Sequence, residues 1–210
     1  MSALPWTMYE SALEGGATLT ARHADGVTEL LAVGRWLADA DPVDERLVDR
    51  ARGPVLDVGC GPGRHVHALV RRGIAALGLD ASPLAVRIAS ERGAEAVLGD
   101  VFTHGLELGV WETVLLLDGN LGIGGDPQAL LRRVAEFLTP GGAVLVETDA
   151  PGGGARAVPV RLERGEDVSI WFPWARVCND AISDIAAGAG LRCVDRWADE
   201  GRWFAELRCA

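Results

Sequence analysis

The stretch Val55-Leu-Asp-Val-Gly-Cys-Gly-Pro-Gly-Arg64 decides the fold. A short apolar run carrying one acid passes directly into Gly59, Gly61 and Gly63, which reads as a strand, a sharp backbone turn and the start of a helix. Glycines at that junction let the chain turn where other residues are strained, and let a ligand lie against amide groups at a helix N-terminus. A dinucleotide fingerprint, G-x-G-x-x-G, needs its third glycine where this chain has Arg64, so the spacing departs from the nicotinamide pattern.

Outward from this turn, short apolar runs alternate with helical patterns, the signature of a parallel sheet covered by helices. Strands are predicted over 54–58, 74–79, 96–98, 113–117 and 143–146, with helices over about 64–72, from Ser82-Pro83 onward, and from Asp126-Pro127 to about 138. The unbroken apolar run at 113–117 suits a strand buried on both faces. Acids fall at the C-terminal ends of these strands: Asp57 in the first, Asp80 ending the second, Asp100 after the third and Asp118 ending the fourth. In an open parallel sheet the ligand crevice lies off those ends, so the four side chains converge on one cleft. Asp80 stands 21 positions beyond Gly59, the spacing at which an acid meets a ribose diol.

Beyond Pro151-Gly-Gly-Gly154 the pattern changes to two β-like runs, 158–162 and 168–174, around a turn at 164–167. A helix over about 179–187 follows, then 191–197 and 203–209 as a closing hairpin. The first 50 residues hold another hairpin, 18–23 with 27–31 around Asp25-Gly26, and a lead-in helix from Asp41-Pro42. The expected fold is α/β, a three-layer sandwich whose mostly parallel seven-stranded sheet ends in an antiparallel last strand, plus a small strand-rich cap. It forms one domain over 1–210: an N-terminal cap and lead-in helix (1–50), a ligand-binding core (53–150), an inserted hairpin (151–178), and the final helix and strands (179–210).

Composition bounds the partners. Thirty acidic residues face 20 basic ones, all Arg, for a net charge of −10, which argues against a nucleic-acid partner. No apolar run approaches the ~18 residues of a membrane span, and the N-terminus lacks the basic start of a secretory signal. Four Cys with no CxxC pair give no metal site, and fit a reduced, cytoplasmic setting. The 27 Gly, against a usual ~7%, concentrate partly at 59–63, 119–125 and 141–142.

The G-x-G-x-G turn preceded by an acid, with the row of strand-end carboxylates and Leu138-Thr-Pro-Gly-Gly142 before the fifth strand, closely resembles the class I S-adenosylmethionine-dependent methyltransferases. The resemblance covers about 53–150. It implies S-adenosylmethionine as cofactor and S-adenosylhomocysteine as product. By the same resemblance Asp80, with Ala81 beside it, holds the ribose, and Asp100 takes the adenine amino group with Val101 and Phe102 bordering the ring. Gly59, Cys60, Gly61 and Gly63 line the methionine portion and ribose, and Asp118, Gly119 and Asn120 sit beside the amino-acid portion and the methyl. Asp57 either anchors the glycine turn or joins the cofactor set.

A sulfonium methyl is already activated, so such an enzyme mainly aligns an O, N or C nucleophile for in-line displacement and excludes water. If the acceptor is a hydroxyl, His65 and His104 are the candidate bases; His23 and His67 rank below them. Trp6 and Tyr9, ahead of the first strand, and Trp171 and Trp174, in the inserted hairpin, are candidate substrate contacts for an apolar or planar small molecule. A dimer contact through that hairpin is the other use of its edge, so monomer and homodimer both stand. Sulfonium cyclisation, or cofactor binding without turnover, are the alternatives to methyl transfer.

Overall fold

The computed structural model describes residues 3–15 and 18–209. The chain begins with helix α1 (Pro5–Gly15), which buries Met8, Ala12 and Leu13 along one side. The hairpin β1 (Thr20–His23) and β2 (Thr28–Leu30) comes next, then the short helix α2 (Val33–Leu37) and α3 (Pro42–Val48). Asp41 starts α3 with a capping box, its side chain accepting from the Val43 and Asp44 amides.

The central sheet follows as β3 (Val55–Val58), β4 (Ala76–Asp80), β5 (Ala96–Leu98), β6 (Trp111–Leu116) and β7 (Leu138–Thr148). They are linked by α4 (Arg64–Arg71), α5 (Pro83–Glu91), and a 3₁₀ turn at Asn120–Gly125 leading into α6 (Pro127–Ala135). Ser82 and Asp126 cap α5 and α6, each ahead of a Pro in the first turn. Next come β8 (Ala155–Ala157), β9 (Val160–Arg164), β10 (Asp167–Val168), β11 (Ala175–Val177) and α7 (Ile182–Gly188), and finally β12 (Leu191–Asp199) and β13 (Arg202–Cys209).

The main sheet runs β12-β13-β7-β6-β3-β4-β5. β3 to β7 pair in parallel, and β13 enters antiparallel between β7 and β12. Alternation in β6 and β7 sorts the two faces. Leu115 and Leu145 pack toward α3 and α4 with Leu47, Leu69 and Phe204; Val114, Leu116, Val144 and Val146 pack toward α6 and α7 with Leu130, Phe137 and Ile182. Both faces are covered, as the unbroken apolar run at 113–117 implies.

The cap is a second sheet, β10-β9-β1-β2, which joins the N-terminal hairpin to the insertion through β1–β9 pairs such as Ala21 with Leu162. The predicted strand over 168–174 is cut short. The regular strand covers Asp167–Val168; beyond it Phe172 still exchanges hydrogen bonds with Val160, while Ala3 also pairs with the segment, its N–H donating to Val168 O and its carbonyl accepting from Ile170 N. The Ser169 hydroxyl also intervenes, accepting from Leu162 N and donating to Ile170 O. Ile170 and Trp171 are consequently exposed, while Phe172 and Trp174 turn inward in an edge-on pair. The turn expected at 139–142 is absorbed into β7, with Gly141 at φ +83°.

Candidate active site

The strand–turn–helix junction forms as the sequence implies, but its three glycines do different things. Gly59 has φ +72°, and a Cβ there would lie 2.5 Å from Asn120 Nδ2. That amide group donates to Val58 O at 3.0 Å and Gly59 O at 2.8 Å, locking the turn after β6 onto the turn after β3. Gly61 has φ +53°, and its missing Cβ would stand 3.1 Å from the Tyr9 hydroxyl oxygen, so α1 lies directly over the turn. Gly63 faces away from the cleft. A Cβ there would meet Ala89 and Ala94 at 2.8 and 2.9 Å, so this glycine lets α4 pack against α5.

Asp80 closes β4 with both carboxylate oxygens engaged. Oδ2 accepts from Gly61 N and Oδ1 from Ser82 N, each at 2.8 Å, and each oxygen keeps a lone pair free. Burial raises its pKa above the ordinary carboxylate value, against those two amides. Burial also pushes Tyr9 well up, with Asp80 adding to it, and pushes up the Cys60 thiol, which stays protonated. Glu10 pins α1 over the cleft by accepting from Ser82 Oγ at 2.8 Å and Leu84 N at 3.2 Å.

Asp118, just past β6, adopts φ +53°, a left-handed conformation that a non-glycine residue holds only when its surroundings enforce it. They do so here. Its N–H donates to Glu147 Oε2 at 2.9 Å, Arg35 reaches Oδ1 at 2.8 Å, and Arg64 grips both oxygens at 2.7 and 3.0 Å. Burial would raise this carboxyl, but Arg64, His65 and Arg35 outweigh it and hold it below its usual value. Arg64 itself is buried and also binds Asp44, which accepts in turn from Arg202; Arg202 clasps Glu147. A chain of alternating charges thus runs from the glycine turn through α3 to the end of β7.

His65 belongs to this network and not to the cleft. It is fully buried, with Nε2 3.3 Å from Asp44 Oδ1 and Nδ1 3.6 Å from Asp57 Oδ2. Burial and Arg64 lower its pKa, but the two carboxylates prevail and lift it to about 9, so it stays cationic at neutrality and cannot accept a proton as expected of it. Asp57, buried in β3, lies outside the cavity lining, and its Oδ2 stands 3.6 Å from His65 Nδ1 without a hydrogen-bond partner among the described residues, so the geometry shows neither of its two expected roles.

A cavity of about 570 Å³ opens above the turn. Gly59, Cys60, Gly61, Asp80, Ala81, Asp118, Gly119 and Asn120 line one end, and the space beside Gly119 is open. The other end is walled by the cap, Trp6, Trp36, Phe172 and Trp174 with Ala21, Val160 and Leu162, and Tyr9 joins the two, its ring edge-on to Trp36 and its hydroxyl over Gly61. Of the expected substrate contacts, Trp6, Tyr9 and Trp174 line the cavity. Trp171 does not; it is exposed beneath the Arg161 guanidinium, 5.1 Å away. Asp100, Val101 and Phe102 lie outside the cavity lining, Val101 buried in the core and Phe102 against Gly124. His104 is also outside it, folded onto Gly99 with its N–H bonded to Asp100 O.

Among the charged lining residues Glu29 and Arg35 escaped the sequence reading, whereas His23, ranked there below His65 and His104, lines the cavity when neither of those does. Beyond its being a histidine, the signal for His23 was its place on the inner face of a period-two strand, two residues after Ala21. Among the described residues no cluster of His, Cys, Asp and Glu could hold a metal, and no helix is long and apolar enough to cross a membrane.

The lining fits a nucleoside with a cationic side chain. Asp80 offers two acceptor oxygens to a diol, and acids outnumber arginines along the wall, with Glu29, Asp80, Asp118, Glu147 and Asp149 against Arg35, Arg64 and Arg176.

Comparison with known proteins agrees. The chain superposes on a methyltransferase of Bacteroides fragilis solved with S-adenosylhomocysteine, at TM-score 0.81 and 22% identity over 98% of this chain and 94% of that one, which establishes the fold. It is 29% identical to a cypemycin N-terminal methyltransferase of a Streptomyces species, over 88% of this chain and 79% of the relative. It is 30% identical to a trans-aconitate 2-methyltransferase of Paracidovorax citrulli, over 65% of this chain and about half, 51%, of the relative. Residues 55–142, from β3 into β7, match the family model described as a methyltransferase domain, and the chain as a whole has the α/β Rossmann-like fold of the S-adenosylmethionine-dependent methyltransferases.

Proposed function

We propose that the cap end of the cavity receives a small-molecule acceptor, and that the chain methylates it at an O or N atom. The observation that carries this is continuity: the residues around Asp80 and the aromatic wall under the cap line one cavity. The cofactor supplies an activated methyl group. Asp80 holds the ribose hydroxyls, the backbone of Gly59 to Gly61 faces the methionine chain, and Asp118, fixed by Arg64 and Arg35, keeps a negative charge beside the cationic portion. Tyr9 and α1 cover the turn and exclude water. Trp36, Phe172 and Trp174 supply flat apolar surface against which an acceptor is oriented.

The related proteins support a small acceptor without fixing its atom, since their names include an N-terminal methyltransferase and a ubiquinone biosynthesis O-methyltransferase. The test is to incubate the protein with methyl-labelled S-adenosylmethionine and a metabolite extract. Label in a low-mass product, with S-adenosylhomocysteine released in equal amount, is the expected result. Methylthioadenosine as the only product, or label found solely in macromolecules, would overturn the reading.

A further inference from the structure

His23 is the polar group of the cap wall that the reading above leaves without a role. It ends β1 on the inner face, with Val160 opposite it on β9, so its strand neighbours on that face are apolar. It is 3% exposed and lines the cavity, yet neither ring nitrogen has a hydrogen-bond partner among the described residues. Burial without a partner forfeits the solvation of both nitrogens, a cost that an apolar side chain at this position would avoid.

The charged groups around it are specific. Glu29, across the hairpin on β2, sets Oε2 3.7 Å from His23 Nε2 and makes no other ion pair among the described residues. Arg176, on β11, also lines this end but is tied to Asp149 by hydrogen bonds of 2.8 and 2.7 Å. Asp25, in the hairpin turn, is occupied by Arg156. Glu29 is therefore the carboxylate left to face the imidazole. An imidazole with an unused nitrogen, backed by a carboxylate that can neutralise the imidazolium, has the parts of a proton acceptor.

We propose that His23 is a catalytic residue of the acceptor site and takes the proton that the acceptor loses on methylation, with Glu29 as its positioning residue. The acceptor class that follows is a neutral, flat, largely apolar molecule bearing a hydroxyl or an N–H group. This rests on the methyl-transfer reading above. A lone pair of the acceptor forms the bond to the methyl carbon while the C–S bond breaks, and that electron pair remains on sulfur as a neutral thioether. The acceptor's proton passes to His23. The positive charge lost from the sulfonium reappears as imidazolium beside Glu29. A carboxylate acceptor has no proton to give and draws nothing from this arrangement.

The test uses 2-naphthol as probe, with 2-methoxynaphthalene and 2-naphthoate as controls. Each is titrated into ¹⁵N-histidine-labelled protein saturated with S-adenosylhomocysteine, by calorimetry and by the histidine resonances. The expected result is that 2-naphthol binds about tenfold more tightly than either control and moves the His23 nitrogens. In His23→Phe that preference vanishes while S-adenosylhomocysteine affinity is unchanged. Glu29→Gln, at a half-exposed side chain, moves the His23 resonance of the free protein and narrows the preference, so the test does not depend on His23 variants folding. No preference for 2-naphthol, an unmoved His23 resonance, or a preference that survives in His23→Phe overturns the proposal alone. Failure of the unaltered protein to bind S-adenosylhomocysteine overturns it together with the methyl-transfer reading.

Discussion

Replacing Asp80 should weaken the cofactor more than it weakens the fold. Its two oxygens each take one backbone amide, from Gly61 and Ser82, and each has one acceptor direction left for a ribose hydroxyl. Asp80→Ala removes both charge-assisted acceptors, which costs about 1–3 kcal/mol of cofactor binding, or roughly 5- to 150-fold in Kd. Asp80→Asn keeps one acceptor oxygen and turns an NH₂ toward either the Gly61 or the Ser82 amide. Its loss should fall between those of Ala and the unaltered protein. The assay is calorimetry with S-adenosylhomocysteine, with circular dichroism to establish folding. Because burial raises the Asp80 pKa, protonation sets in at higher pH than for an ordinary carboxylate. Protonation removes acceptor capacity, so affinity should fall on acidification and the fall should be absent in Asp80→Asn. A folded Asp80→Ala protein with unchanged affinity would refute the ribose assignment.

Other expectations follow from the charge network and the cap. His65 has a pKa lifted to about 9 from a reference near 6.5, so it contributes on the order of 3 kcal/mol, fully present below the unfolded value and lost as pH rises through about 9. The melting temperature should therefore drop between pH 7 and 10, with a flatter curve for His65→Asn; parallel curves would contradict this. Arg64→Met strips the buried Asp44 of one partner and should cost about 3–5 kcal/mol in urea unfolding; a cost below about 1 kcal/mol would show the network to be slack. Trp174→Ala should weaken 2-naphthol by about tenfold while leaving S-adenosylhomocysteine affinity within about twofold. Equal loss of both, with a lower melting temperature, would mark Trp174 as packing alone.

What was legible in the sequence is local. The strand entering Gly59, the caps at Ser82 and Asp126, and the buried run at 113–117 are short-range signals, and the sheet follows from their alternation. Asp80 was legible because its distance from Gly59 is set by one strand–helix–strand unit. Long-range pairings were not legible. β1 meets β9 across some 140 residues, and Arg64 finds Asp44 and Asp118 on two other elements. His65 follows the glycine turn so closely that it read as a cleft residue, but the first turn of α4 directs it inward between Asp44 and Asp57. Gly63 has the motif's spacing yet serves helix packing, a role visible only once Ala89 and Ala94 are in place.

The most direct test of the account is a crystal structure of the protein with S-adenosylhomocysteine. The account predicts ribose hydroxyls on the Asp80 carboxylate and a sulfur that opens toward the wall of His23, Phe172 and Trp174. A nucleoside bound away from Asp80, or a sulfur sealed off from the cavity beneath the cap, would contradict it.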